Sequence, residues 1–290
     1  MLGLYLAQMV NSGLALGAVY GLMALGFSLI YNSSRLINFA QGELLLVSGL
    51  GLYSLSSLFN APPLLCLAAA GLWGFLLGWA LYATTLGVTL NANPLRQLML
   101  TVAASLIWQG AAILIWGKKP LMPPQLFSIS PLRLGPLFFS RDTLTGLILA
   151  LSSGALLTLF LRYTRTGRAI RAVSMNPVAA MLQGVNPKRA YALSFALAGV
   201  LAALAGIAIG PQTMLRYDMG LGLGLKGFVA ATLGGYSSLG RVFLGGIGLG
   251  LIESGLVLTL NAELKETIAY ALLIVLLIVV PHREKSHERA

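Results

Sequence analysis

Long apolar runs separated by short polar connections limit what this chain can become. They cover 5–31, 36–59, 62–88, 97–117, 142–162, 190–210, 217–236, 241–260 and 265–281. A helix needs about 20 apolar residues to cross a hydrocarbon core roughly 30 Å thick. The runs are continuous instead of alternating in ten-residue segments, which points to helices and away from a barrel. Only 9% of the residues are charged, against about a quarter in soluble domains. That is too little polar surface to cover a water-soluble body of this size. The expected fold is all-α, a polytopic transmembrane helical bundle of about 8–9 spans. The glycine-rich run at 217–236 is the one that could be broken or re-entrant.

The net charge of +11 would suggest nucleic acid in a soluble protein, but here it belongs to loops. With the N-terminus outside, twelve Lys and Arg fall inside, among them Arg35, Arg96, Arg162 and the cluster from Arg165 to Arg189. Six fall outside: Lys118, Lys119, Arg133, Arg141, Arg216 and Lys265. The positive-inside rule therefore predicts an external N-terminus and a cytoplasmic C-terminus. On this reading 1–281 form one transmembrane domain and 282–290 a cytoplasmic tail. The first charged residue is Arg35, so the start lacks the basic end of a signal peptide, and the first run is read as a retained helix.

Enzyme chemistry finds no footing. Gly117-Lys118 lacks the upstream glycine and following hydroxyl of a P-loop. No H-E-x-x-H or G-x-S-x-G motif occurs, and both histidines, His282 and His287, lie in the polar tail. The single cysteine, Cys66, excludes an internal disulfide or a cysteine metal site. Neither cofactor nor metal is expected.

Glycines recur at helical spacing: Gly13, Gly17 and Gly21; Ala202, Gly206 and Gly210; Gly246 and Gly250. Residues four apart share a helix face, and small ones there let two helices approach closely. The connection 118–141 holds Pro120, Pro123, Pro124, Pro131 and Pro136 and is read as a stiff, non-helical outer loop. The connection 163–189 is basic, has no acidic residue and carries a helix signal. Asn176 can cap, Pro177 suits the first helical position, and Gly184 can end the helix under two turns later. From the residues alone this short helix either rests on its own protein or docks a cytosolic partner.

Several blocks resemble the permease subunits of bacterial branched-chain amino acid ABC importers. They are G-L-A-L-G-A-V-Y-G-L-M-A-L-G-F-S-L-I-Y from Gly13 and I-N-F-A-Q-G-E at 37–43. T-G-R-A-I-R-A at 166–172 and A-A-M-L-Q-G at 179–184 are similar to that family's ATPase-coupling loop. G-L-K-G-F-V-A-A-T-L-G-G-Y-S-S-L-G at 224–240, with Glu253, is similar to its late region. Gln41 stands where the family often has His, Gly227 where Ala is common, and Val178 where the wider coupling motif often begins with Glu. The resemblance implies a second, related permease in a heterodimer, cytosolic ABC ATPase subunits and a periplasmic substrate-binding protein. It also implies that Gly167, Arg168, Arg171, Asn176, Ala179, Ala180 and Gly184 belong to the ATPase-coupling loop.

Charges inside spans need a reason, because each costs roughly 2.5–3.5 kcal/mol to insert. Asn38, Gln41 and Glu43 lie near the entry of the second run and are candidates to line the substrate pathway, with Glu43 a gate or a partner of Arg35. Lys226 is a further pathway candidate, or a lysine snorkelling past thin glycine neighbours. Glu253 is read as a helix–helix hydrogen-bond partner beside Gly246 and Gly250. An ion-coupled secondary carrier is the main alternative, with only Glu43 and Glu253 as coupling carboxylates. A urea or short-amide permease and a non-transporting scaffold are the others.

Overall fold

The computed structural model describes residues 2–259 except 60, 61, 91, 124, 128, 136 and 237, and beyond them 267, 271 and 275. The helices are α1 (Leu2–Ser34), α2 (Gln41–Phe59), α3 (Pro63–Thr84), α4 (Pro94–Trp116), α5 (Arg141–Tyr163), α6 (Arg165–Met175), α7 (Pro177–Leu182), α8 (Pro187–Ile209), α9 (Met219–Gly234) and α10 (Leu239–Thr259). Six of them (α1, α3, α4, α5, α8 and α10) are long and apolar enough to cross a membrane. Helix α9, within the run 217–236, is a shorter helix of 16 residues. The run 265–281 and the tail 282–290 fall outside the described residues apart from three isolated positions.

One dipeptide starts three of these helices. Asn93-Pro94, Asn176-Pro177 and Asn186-Pro187 each place an asparagine at the cap and a proline in the first turn. The asparagine oxygen accepts amide hydrogens that the helix leaves unpaired, and proline lacks the one that would be wasted. Ser140 and Thr164 cap α5 and α6 in the same way, accepting from the amides of Thr143 and Gly167.

Helices α1 and α8 make the centre of the bundle: 89% and 72% of their most apolar windows are buried, against 22% for α4. Helix α10 runs antiparallel along α1, and their backbones touch. A Cβ added to Gly250 would fall 2.6 Å from the Gly17 Cα, and one on Gly17 would fall 2.8 Å from the Ile247 Cα. Gly13 faces Leu251, Gly21 faces Phe243, and Gly246 packs against Tyr20 and Gly21 along the same seam. Gly206 on α8 packs on Leu45 and Gly49 of α2, whereas Gly210 meets the ring of Pro123. Backbone contact of this kind replaces the hydrophobic drive that lipid cannot supply.

Two departures from the expected outline matter. The outer connection is not wholly irregular: Leu132–Leu134 and Leu137–Phe139 pair as a two-stranded antiparallel hairpin, turning at Gly135 with φ 61°. The run 36–59 does not begin as a helix. Arg35 takes φ 57° and ends α1, and the chain stays non-helical until Gln41.

Candidate functional site

The break between α1 and α2 is largely buried, and its polar groups are satisfied locally and from two other helices, α4 and α8. Asn38 Oδ1 accepts from the Ala40 amide, and Asn38 Nδ2 donates to Gln41 Oε1. Gln41 Nε2 donates to the Ala198 carbonyl at 3.0 Å. Thr101 on α4 accepts from the Phe39 amide at 3.3 Å. Ala198 is the central residue of α8 (Pro187–Ile209), so the broken segment sits halfway through the bundle. Non-helical backbone at that depth is tolerated only where protein or a cavity surrounds it.

Glu43 follows in the first turn of α2 and is 1% exposed. Ser105 on α4 donates to Oε1 at 3.3 Å. The Leu221 amide, at the head of α9, faces the carboxylate, and Oε2 completes no hydrogen bond. The carboxylate lies over Gly220, where a Cβ would fall 2.5 Å from its Cδ. Beside it Gly42 crosses the same turn of α9, and a Cβ there would meet the Gly224 nitrogen at 2.9 Å. The starts of α2 and α9 thus meet backbone to backbone, with Glu43 as the side chain next to the contact. Arg35 does not pair with it; its guanidinium stacks on Tyr31, 5.8 Å from the ring centroid.

A second charged group lies deeper along α9. Lys226 does not snorkel. Its Nζ donates to Glu253 Oε1 on α10 at 2.7 Å, with side-chain exposures of 8% and 2%. Tyr20 on α1 donates to Glu253 Oε2, also at 2.7 Å, and its ring lies 5.8 Å from the ammonium. One carboxylate therefore ties together α1, α9 and α10. Asn38 and Gln41 share a hydrogen bond and turn toward α8, Glu43 turns toward α4 and α9, and Lys226 is paired elsewhere, with Glu253 on α10.

At one end of the bundle α6 and α7 make a compact bracket. Helix α6 has a single buried face, Gly167, Ile170 and Val173, at spacing of three. Its arginines Arg168 and Arg171 are exposed. A Cβ on Gly167 would strike the α5 backbone, 2.6 Å from the Leu161 Cα. The Asn176 cap of α7 accepts from the amides of Val178 and Ala179, each at 3.0 Å. Gly184 ends it at φ 79°, and the Val185 amide closes back to the Ala180 carbonyl. Ala180 points into the protein at 4% exposure and Ala179 is exposed. The projecting apolar side chains are Met175, Val178, Met181 and Leu182, the last 83% exposed. Sequence reasoning anticipated the short helix α7 and its cap but passed over α6 and the apolar side chains that project from the bracket. The signal for α6 was Gly167, Ile170 and Val173 on one face with arginines around the rest.

The opposite end holds the hairpin, the N-terminal part of α1 and the 210–218 turn. Asn11 of α1 accepts from the Ser140 amide, and Leu121 bridges to Leu215. Arg216 and Asp218 form an exposed ion pair in that turn at 2.6 Å. The Arg216 hydrogen bond holds the Asp218 carboxyl below the usual carboxylate range, against a smaller opposing effect of burial.

This arrangement has relatives. The chain matches the family described as branched-chain amino acid transport system / permease component over residues 9–277. It is 31% identical to the high-affinity branched-chain amino acid transport system permease protein LivH of Escherichia coli K12, covering 96% of this chain and 94% of that one. It is 28% identical to BraD, the corresponding permease protein of Pseudomonas aeruginosa, with the same coverage. Among solved structures it is similar to PsaBC from Streptococcus pneumoniae in complex with Fab, with a TM-score of 0.53 and 12% identity over 97% of this chain and 95% of that one. That likeness concerns the fold alone. The match from 9 to 277 takes in the broken segment, the α6–α7 bracket and the Lys226–Glu253 pair together, and this chain belongs to the branched-chain amino acid transport system permease family.

Proposed function

We propose that the chain is the membrane-spanning permease subunit of an ATP-binding-cassette importer for branched-chain or related amino acids. The observation that carries this reading is the α6–α7 bracket, in a chain that belongs to a permease family. A six-residue helix is marginal in water unless it packs on something. Here it is capped, closed at Gly184 and anchored by Ala180, yet offers Met175, Val178, Met181 and Leu182 to the exterior. An exposed apolar knob among arginines is the surface an ATPase cleft would receive. The bracket end is then cytoplasmic, the hairpin end faces a substrate-binding protein across the inner membrane, and ATP is hydrolysed on a separate chain. A second, related permease completes the pore.

On this reading the substrate passes the broken segment, where Glu43 lies between α2 and α9 and Asn38 and Gln41 lie toward α8. The unpaired Oε2 of Glu43 is placed to receive an ammonium group when Gly42 and Gly220 move apart. Lys226 is a structural charge, neutralised by Glu253. ATP binding biases the opening only by favouring one of two states through the bracket.

Leu182→Glu is expected to reduce co-purification of the ATPase subunit by about tenfold, a loss near 1.4 kcal/mol, with the permease still folded. The measurement is quantitative mass spectrometry of the complex drawn from membranes by a tag on this chain. Full retention of the ATPase would remove the bracket as its dock. Leucine-stimulated ATPase activity of the complex with its binding protein tests the substrate class; stimulation by urea or short amides alone would replace it.

A further inference from the structure

The bracket end also holds a cavity away from the contact of α2 with α9. It has a volume of about 400 Å³ and lies between α1, α5, α6 and the α9–α10 turn. Its polar rim is Asn32, Arg162, Arg171 and Ser174. A second opening of about 400 Å³ adjoins it and shares Thr158 and Leu239. This one is apolar, a groove between α5 and α10 with Leu25 as its floor and Gly154 and Phe243 on its walls.

Charge distinguishes the first cavity. The ion pairs among the described residues are Arg216–Asp218 and Lys226–Glu253, so neither Arg162 nor Arg171 has a carboxylate partner there. The connection 163–189 adds Arg165, Arg168, Lys188 and Arg189 without one acidic residue. Two arginines line this one cavity, Arg162 with its guanidinium 5.4 Å from the Tyr163 ring centroid, and guanidinium groups suit a phosphate, which accepts paired, charge-assisted hydrogen bonds from them.

We propose that the two cavities together bind an anionic phospholipid, its phosphodiester head between Arg162 and Arg171 and one acyl chain along the α5–α10 groove. Free phosphate would use the rim and leave the groove unexplained. A lipid uses both, and basic pockets of this kind between membrane helices bind anionic head groups. The bound lipid would hold α6 to α5 and α10, and so fix the seat of the bracket.

The test uses the full chain with the subunits it retains, stripped of lipid in detergent and titrated with phosphatidylglycerol or phosphatidylcholine. Native mass spectrometry reads the lipid retained. Phosphatidylglycerol is expected to stay bound, and Arg162→Gln with Arg171→Gln to lower its retention by about thirtyfold. Arg165→Gln with Arg189→Gln removes as much charge from exposed sites outside the cavities and should leave retention nearly unchanged. Gly154→Leu, which fills the groove against Leu25, should weaken retention with the rim intact. Equal retention of the two lipids, or an equal loss in both arginine pairs, would overturn the proposal. So would inorganic phosphate binding in the absence of lipid retention. Binding seen only after removal of 282–290 would assign the rim to Glu284 and Glu288 of the tail, and the proposal would fall.

Discussion

Glu253→Leu is expected to destabilise the protein by about 3–5 kcal/mol, the range for breaking one side of a buried ion pair. The substitution leaves the Lys226 ammonium without the carboxylate oxygen 2.7 Å away, and removes the acceptor of the Tyr20 hydroxyl. Neither group has water at hand to replace what is lost, since both side chains are almost fully buried. The double substitution Lys226→Met with Glu253→Leu should recover most of that stability, because a well-packed apolar pair does not carry the desolvation cost of two ions. Thermal unfolding of the purified protein in mild detergent measures both. A single variant that melts with the wild type would mean that the carboxylate is not the counter-ion of Lys226. Recovery of stability without recovery of transport would give the pair a part in the transport cycle as well.

The second large effect concerns the α1–α10 seam. Gly250→Leu places a Cβ 2.6 Å from the Gly17 Cα, and backbone cannot rotate away as a side chain can. Overpacked positions cost about 1–3 kcal/mol and occasionally more; this one belongs at the upper end or beyond. Gly248, two residues earlier on the same helix, provides the control, because a Cβ there meets nothing within 4 Å. Gly248→Ala should be neutral or stabilise by up to about 1 kcal/mol, the difference between the two residues in a helix interior. The same melting experiment separates them. If Gly248→Ala destabilises as much as Gly250→Leu, the seam does not depend on backbone proximity.

The seam was legible before the structure because a four-residue spacing of glycine marks a face whatever that face meets. Which helix it met was not legible, since nothing in Gly13, Gly17 and Gly21 points to Gly246 and Gly250 more than to Gly206 and Gly210. The broken segment at 35–40 was hidden for a different reason. Leu36, Ile37, Phe39 and Ala40 read as the start of an apolar run, and no proline or glycine interrupts it. The helix stops because Arg35 adopts a left-handed conformation and Asn38 turns its side chain on the local backbone. The polar run Asn32-Ser33-Ser34-Arg35 marks the gap between the runs 5–31 and 36–59, but it does not show that the non-helical stretch continues to Gln41. Of the candidate pathway residues, Asn38 and Gln41 come together because they are near in sequence, whereas Glu43, two residues on, turns to α4 and α9. Lys226 separates from them because its partner is 27 residues along the chain, a distance that spacing does not encode.

Helix α9 is short. Its 16 residues rise about 24 Å, less than the roughly 30 Å of a hydrocarbon core. Its first turn stops where it meets α2 at Gly42, halfway down the bundle. On the proposed pathway, the barrier between the two sides of the membrane is then the contact of α2 with α9. At its closest approach it consists of two glycine-bearing turns and one carboxylate, with the rings of Phe39 and Phe228 nearby. On that pathway the seal would leak or hold according to the spacing of two backbones rather than the rotation of one side chain.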